Sequence, residues 1–173
     1  MLRRWAEIGM LVAGLCLLGT SGSRVMERAV FQSQPEIAKA FQPRLRILGR
    51  LEIPRLGMAV LIVEGADQSA LSVAAGHVDG TAALGTNGNT VLAGHRDAEF
   101  RALRGIRIGD RLRVKAGQTY VYVVSRIRVV SSADITPLAQ RSGARLTLIT
   151  CYPFRYVGEA PERFIVQAEL VGT

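Results

Sequence analysis

Tyr120-Val-Tyr-Val-Val-Ser-Arg-Ile-Arg-Val-Val130 is the longest strand-like run in this 173-residue chain. β-Branched and aromatic side chains lose rotamer freedom in a helix and pack well on a pleated surface, so the run predicts a strand. Outward from it, similar short runs recur at 48–53, 58–63, 89–95, 110–115, 145–151 and 163–171, separated by Gly, Pro, Asn and Asp. That spacing predicts an all-β barrel or sandwich. Two short helices are expected between strands, near Gln68 to Ala74 and near Ala98 to Arg104, after which Gly105 and Gly109 reopen the chain.

The first residues have a different character. Arg3 and Arg4 precede Ile8-Gly-Met-Leu-Val-Ala-Gly-Leu-Cys-Leu-Leu-Gly19, an uncharged apolar stretch of 12 residues bounded by Glu7. Its flanks, Trp5-Ala6 and Thr20-Ser-Gly-Ser23, can extend it toward the ~20 residues that span a bilayer core. The two arginines place the N-terminus in the cytoplasm and the rest of the chain outside. We therefore expect a signal anchor over 1–23, and a single-pass protein whose main domain is extracytoplasmic. A linker is expected over 24–47, because charge, Gln and Pro alternate there without a sustained apolar period. Residues 48–173 suffice for one domain, so one site must carry the function.

Charge narrows the partners. The net charge of +8 comes from 22 basic residues, of which only Lys39 and Lys115 are lysine. A dense group runs through Arg96, Arg101, Arg104, Arg107, Arg111 and Arg113, but Asp97, Glu99 and Asp110 interleave with it and no aromatic stripe accompanies it. That pattern reads as a solvated face toward an anionic envelope and not as a nucleic-acid site.

Cys151 ends the run Arg145-Leu-Thr-Leu-Ile-Thr-Cys151 and is the only cysteine outside the N-terminal apolar segment. An exported domain with one thiol cannot form its own disulfide, which points to use of the thiol itself. Packing as a small apolar side chain is the other reading, and the cysteine alone leaves both open. The two histidines each follow glycine, in Gly76-His77 and Gly94-His95. His95 stands where a strand gives way to a helix, a usual place for reactive groups, while His77 sits in a Gly-rich stretch read as a turn with structural hydrogen bonds. For His95 alone, proton transfer and structural bonding are both open. Arg163 opens the last strand-like run, beyond a loop containing Pro153, Gly158 and Pro161. If the strands ending at Cys151 and starting at Arg163 pair antiparallel, thiol and guanidinium emerge at one rim. A fixed cation there would favour a thiolate or donate to an oxyanion. By itself, an arginine at a strand start is ordinarily a surface charge.

Beyond the N-terminal apolar segment, one cysteine and two histidines fall short of a zinc set, and no cofactor-binding motif is present. There is also no phosphate-cradling loop with Lys, no Gly-x-Ser-x-Gly elbow and no Cys-x-x-Cys pair. Cysteine acyl transfer remains. At this point Leu148-Ile-Thr-Cys151, with Gly94-His95 upstream and Arg163 downstream, resembles the sortase family of cysteine transpeptidases. Gly76-His-Val-Asp-Gly-Thr81, Gly88-Asn-Thr-Val-Leu-Ala-Gly-His-Arg-Asp97, Thr147-Leu-Ile-Thr-Cys-Tyr-Pro-Phe154 and Ala160-Pro-Glu-Arg-Phe-Ile-Val166 are similar to the class D branch and its Gram-negative relatives.

The resemblance implies an eight-stranded β-barrel with its active site at one rim, preceded by a membrane-anchor helix. It implies as substrates proteins with a C-terminal LPXTG-type sorting signal, and as acceptor an amine on a cell-wall precursor or another protein, or simply water in its place. It makes Cys151 the nucleophile, His95 the general acid and Arg163 the oxyanion stabiliser; from the ligand count above, no metal or other cofactor is expected. Two rivals stand beside it. A secreted cysteine peptidase or an L,D-transpeptidase-like wall enzyme would use the same nucleophile, although the latter places His-Gly before the cysteine, where this chain has Ile149-Thr150. The other is a nonenzymatic envelope-binding β-domain.

Overall fold

The computed structural model describes residue 32 and residues 45–173; the expected anchor over 1–23 lies outside them, as does most of the expected linker. Among the described residues, no helix is long and apolar enough to cross a membrane.

Eight strands close into a barrel: β1 (Ile47–Ile53), β2 (Met58–Glu64), β3 (Ala75–His77), β4 (Gly88–Ala93), β5 (Arg111–Ala116), β6 (Gln118–Ser131), β7 (Ala144–Tyr152) and β8 (Glu162–Gly172). Their order around the wall is β1-β2-β3-β4-β7-β8-β6-β5, and β1 pairs with β5 to close it. β2–β3 and β4–β7 are parallel, and the other pairs are antiparallel. Seven of these strands correspond to the runs expected from sequence. The eighth, β3, has only 3 residues, too few to show a two-residue period.

Alternation along the strands fills the barrel. Leu51 and Ile53 of β1, Leu112 and Val114 of β5, and Leu146 and Leu148 of β7 are fully buried in one cluster with Leu92, Phe100 and Val166. Each such leucine contributes about 1.5–3 kcal/mol relative to exposure. The expected helix at 68–74 is a single turn, Gln68–Leu71, capped by Asp67 Oδ1, which accepts from Ala70 N at 2.9 Å. It stops early because Val73 and Ala74 are drawn into a second apolar cluster and the chain enters β3. The helix expected at 98–104 is a 3₁₀ turn at Arg101–Gly105, which seats Leu103 in the core. Two further 3₁₀ turns lie at Pro54–Leu56 and Thr136–Leu138.

Two polar ties complete the wall. The Gln32 side-chain amide lies between β2 and the chain entering β3: its Oε1 accepts from Leu61 N and its Nε2 donates to Val73 O, both at 2.7 Å. It acts as a peptide group inserted where the short β3 runs out. Arg55, on the first 3₁₀ turn, makes a bidentate pair with Asp110 just before β5 and also donates to Gly105 O.

Candidate active site

β7 carries the thiol. Along it Leu146, Leu148 and Thr150 turn inward and are buried, and Cys151 follows on the opposite face, half-buried at the strand's end. β8 runs antiparallel to β7 with Arg163 directly opposite Cys151. Directly opposed residues share a face of the sheet, with Cβ atoms about 4.5–5.5 Å apart. The rim expected for thiol and guanidinium is thus a cross-strand pair. Arg163 is also held in place, since its Nη1 donates to Ala160 O at 3.1 Å and to Glu162 O at 3.0 Å.

β4 lies on the other side of β7, in parallel, and the last pair in that register is Ala93 with Ile149. Continuing the register by two positions sets His95 level with Cys151. Two hydrogen bonds extend the ladder that far: Gly94 N donates to Ile149 O at 3.2 Å, and the buried Thr150 hydroxyl donates to Gly94 O at 2.7 Å. Glycine is required at 94 because a Cβ there would stand 2.9 Å from the ring of the fully buried Phe100. The neighbour order β4-β7-β8 therefore brings His95, Cys151 and Arg163 abreast from three distant parts of the sequence.

All three line one cavity of about 480 Å³, together with Asp97, Ser132 and Glu159. Ser132 comes from the β6–β7 loop and Glu159 from the β7–β8 loop, and neither was singled out in the sequence, because each sits in a stretch whose polarity is that of any surface loop. The two loops are clamped together by Ser132 N donating to Pro161 O at 3.0 Å. The β6–β7 loop is anchored at its base by Asn89, whose buried amide donates to Pro137 O at 2.9 Å and accepts from the Thr147 hydroxyl at 2.7 Å. Beyond the cavity, Tyr152, Phe154 and Phe164 form a packed aromatic group with ring centroids 5.1 to 6.1 Å apart.

His77 lies elsewhere. It is in β3, not in a turn as its glycine neighbours suggested, and it is 7% exposed. Its Nδ1 faces Glu64 Oε1 at 3.2 Å and its Nε2 faces Ala82 O at 3.0 Å and Thr81 Oγ1 at 3.1 Å. The structural bonding expected of it is what the structure contains.

Strand order, closure and the placement of a lone thiol can be compared with known proteins. A family model described as the Sortase domain matches residues 51–171. The chain belongs to the sortase family. This sortase is 34% identical over 155 residues to Sortase D of Bacillus subtilis (strain 168), a match covering 88% of this chain and 75% of that protein. Among solved structures, a Clostridium perfringens Sortase D5 transpeptidase is similar with a TM-score of 0.67 at 27% identity, over 83% of this sortase and 92% of that chain. Sortase A from Corynebacterium diphtheriae is similar with a TM-score of 0.68, also at 27% identity, over 83% and 71%. The protein is accordingly a cysteine transpeptidase, and Cys151 is present as a free thiol.

Proposed function

We propose that this sortase cleaves a C-terminal LPXTG-type sorting signal and transfers the protein bearing it to an amine acceptor at the cell surface. The observation that carries this reading is the alignment of His95, Cys151 and Arg163 across three adjacent strands in one cavity. Cys151 Sγ, its proton passed to His95, attacks the carbonyl carbon of the signal's threonine. The developing oxyanion is met by Arg163, whose Nη1 is committed to the carbonyls of Ala160 and Glu162 while Nε and Nη2 have no protein partner among the described residues. His95 donates a proton to the leaving amine, the C–N bond breaks, and a thioester remains on Cys151. An amine then attacks the thioester, His95 takes its proton, the C–S bond breaks, and Cys151 is released as the thiolate. An acid is needed in the first half because an amine leaves a tetrahedral adduct only when protonated.

The same reading makes 1–23 a membrane anchor, 24–47 a linker and 48–173 a catalytic domain outside the cytoplasm. Supporting it are Arg3 and Arg4 ahead of the apolar stretch at 8–19. The test is single-turnover reaction with an LPXTG-type peptide, followed by intact-protein mass. A mass increase equal to the acyl fragment should appear on the wild-type protein and be absent from Cys151→Ala, with unchanged circular dichroism. Turnover near wild type in Cys151→Ala would remove Cys151 from the mechanism.

A further inference from the structure

The β7–β8 loop, residues 153–161, walls the Cys151 cavity, and its two ends are held. Ala160 O and Pro161 O accept from Arg163 Nη1 and Ser132 N, and Phe154 packs on Tyr152 and Phe164. Its middle, 155–159, is exposed. Among the described residues, the hydrogen bonds that reach this middle come from one side chain: Arg96 Nη2 donates to Tyr156 O at 2.9 Å and to Gly158 O at 3.4 Å. The same guanidinium lies over the Tyr156 ring, 5.8 Å from its centroid and within reach of a cation–π attraction. Arg96 follows His95 on a turn closed by Ala98 N and Phe100 N, which donate to His95 O at 3.3 and 3.0 Å. One guanidinium therefore places the middle of the loop relative to His95. Arg96, Gly158 and Glu159 line the Cys151 cavity, and Arg96 also borders a neighbouring cleft of about 440 Å³ with Phe154 and Arg155. The latch between Arg96 and the loop is thus the partition between the two spaces. It is held below full strength, because the buried Nη1 has no hydrogen-bond partner among the described residues, a cost that opening the loop relieves.

We propose that Arg96 is a positioning residue that latches the β7–β8 loop as a wall of the Cys151 cavity and so shields the thioester from water. The thioester has two fates. Attack by an amine forms a C–N bond, breaks the C–S bond and passes the amine's proton to His95; attack by water forms a C–O bond, breaks the same C–S bond and leaves a free carboxyl group. Water outnumbers any amine, so transfer depends on a wall that keeps it out. A latch made of an exposed charge-assisted hydrogen bond and a ring contact holds the loop closed, yet lets it open within a catalytic cycle. The shielding rests on the reading of Cys151 as the acylated residue, whereas the latch does not.

The experiment reads latch and shielding separately on the full-length protein in detergent. Alkylation of Cys151 is timed with iodoacetamide, which is small, and with pyrenylmaleimide, which is bulky, and peptide mass spectrometry resolves the site. An open loop admits the bulky reagent preferentially, so the bulky-to-small rate ratio should rise about fivefold in Arg96→Gln. Arg96→Lys should restore part of it, because lysine keeps the charge without the planar fork. Arg155→Gln, the same charge loss in the same loop, should leave the ratio at wild type. A change in thiol ionisation alone moves both rates together and does not alter the ratio. In parallel, the thioester formed on a sorting-signal peptide, with no amine added, should decay about five- to tenfold faster in Arg96→Gln, followed by intact-protein mass. An unchanged ratio in Arg96→Gln overturns the latch, as does an equal rise in Arg155→Gln. A raised ratio with thioester decay at the wild-type rate overturns the shielding. If no thioester forms even on the wild type, a raised ratio keeps the latch and removes the reading of Cys151 as acylated. Should Arg96→Gln lose the circular dichroism of the barrel, Tyr156→Ala tests the latch from the loop side: loss of the ring should raise the ratio, and an unchanged ratio overturns the latch.

Discussion

Arg163 is oriented before any substrate arrives. Its bonds to the carbonyls of Ala160 and Glu162 fix the guanidinium plane opposite Cys151, so its free N–H groups need little reorganisation to meet a new negative charge. Lysine keeps the charge but has neither the plane nor the fork. Arg163→Lys should therefore preserve the fold and the rate of Cys151 alkylation, while thioacyl formation falls about 10²- to 10³-fold, the typical cost of one oxyanion donor. Single-turnover kinetics beside Arg126→Lys, an exposed β6 residue, makes the comparison. Equal, small losses in both would reduce Arg163 to a surface charge. At this scale the sequence was legible where chemistry was rare: one thiol beyond the N-terminal apolar stretch and two histidines left few candidates. It was silent on Ser132 and Glu159, and it read Asp97 only as a charge among arginines, because ordinary polar residues declare a role only through the cavity they line.

The element that aligns the site is the parallel pair β4–β7, and its last tie is a side-chain bond. Thr150 is 2% exposed, and its hydroxyl reaches Gly94 O across 56 positions of sequence. Thr150→Val keeps shape and β preference but leaves a carbonyl next to His95 without that donor. The expected cost is about 1–3 kcal/mol in urea unfolding. Acyl transfer should fall while the alkylation rate of Cys151 is retained, because the histidine and not the thiol loses its support. If urea stability and acyl transfer both match wild type, the bond does not position the site. Strands of six or more residues were readable from β-branched content. Their neighbours were not, since no local pattern in 88–93 or 144–152 states that these segments lie side by side. β3 escaped notice because Ala75-Gly-His77 offers neither length nor β-branching, and its Gly76 serves a contact distant in sequence: a Cβ there would stand 2.3 Å from Gly65 O. The helices were expected longer than they are because propensity extends a turn, whereas burial of Val73 and Ala74 ends the first and the seating of Leu103 holds the second to a 3₁₀ turn.

For the molecule as a whole, acid stability has an identifiable contributor. Hydrogen bonds from Arg55 hold the Asp110 carboxyl below the usual carboxylate range, with help from Arg107 N, which donates to it at 2.8 Å. A carboxyl with a depressed native pKa binds its proton more readily in the unfolded chain. Its contribution is complete above the unfolded value near 4 and is lost as pH falls through the native one. Asp110→Asn should lower the melting temperature at pH 7 by several degrees, and the gap from wild type should narrow as pH is taken below about 4. Melting curves across pH check this, and a gap independent of pH would assign the loss to packing alone. The strand register has a consequence for sequence length. Removing one residue from β8 just after Arg163 would send the guanidinium to the barrel interior, and removing two would restore the face but displace it by about 6.6–6.8 Å along the sheet. Insertions and deletions are thus confined to the loops of this enzyme, while β4, β7 and β8 behave as rulers whose lengths can change only together.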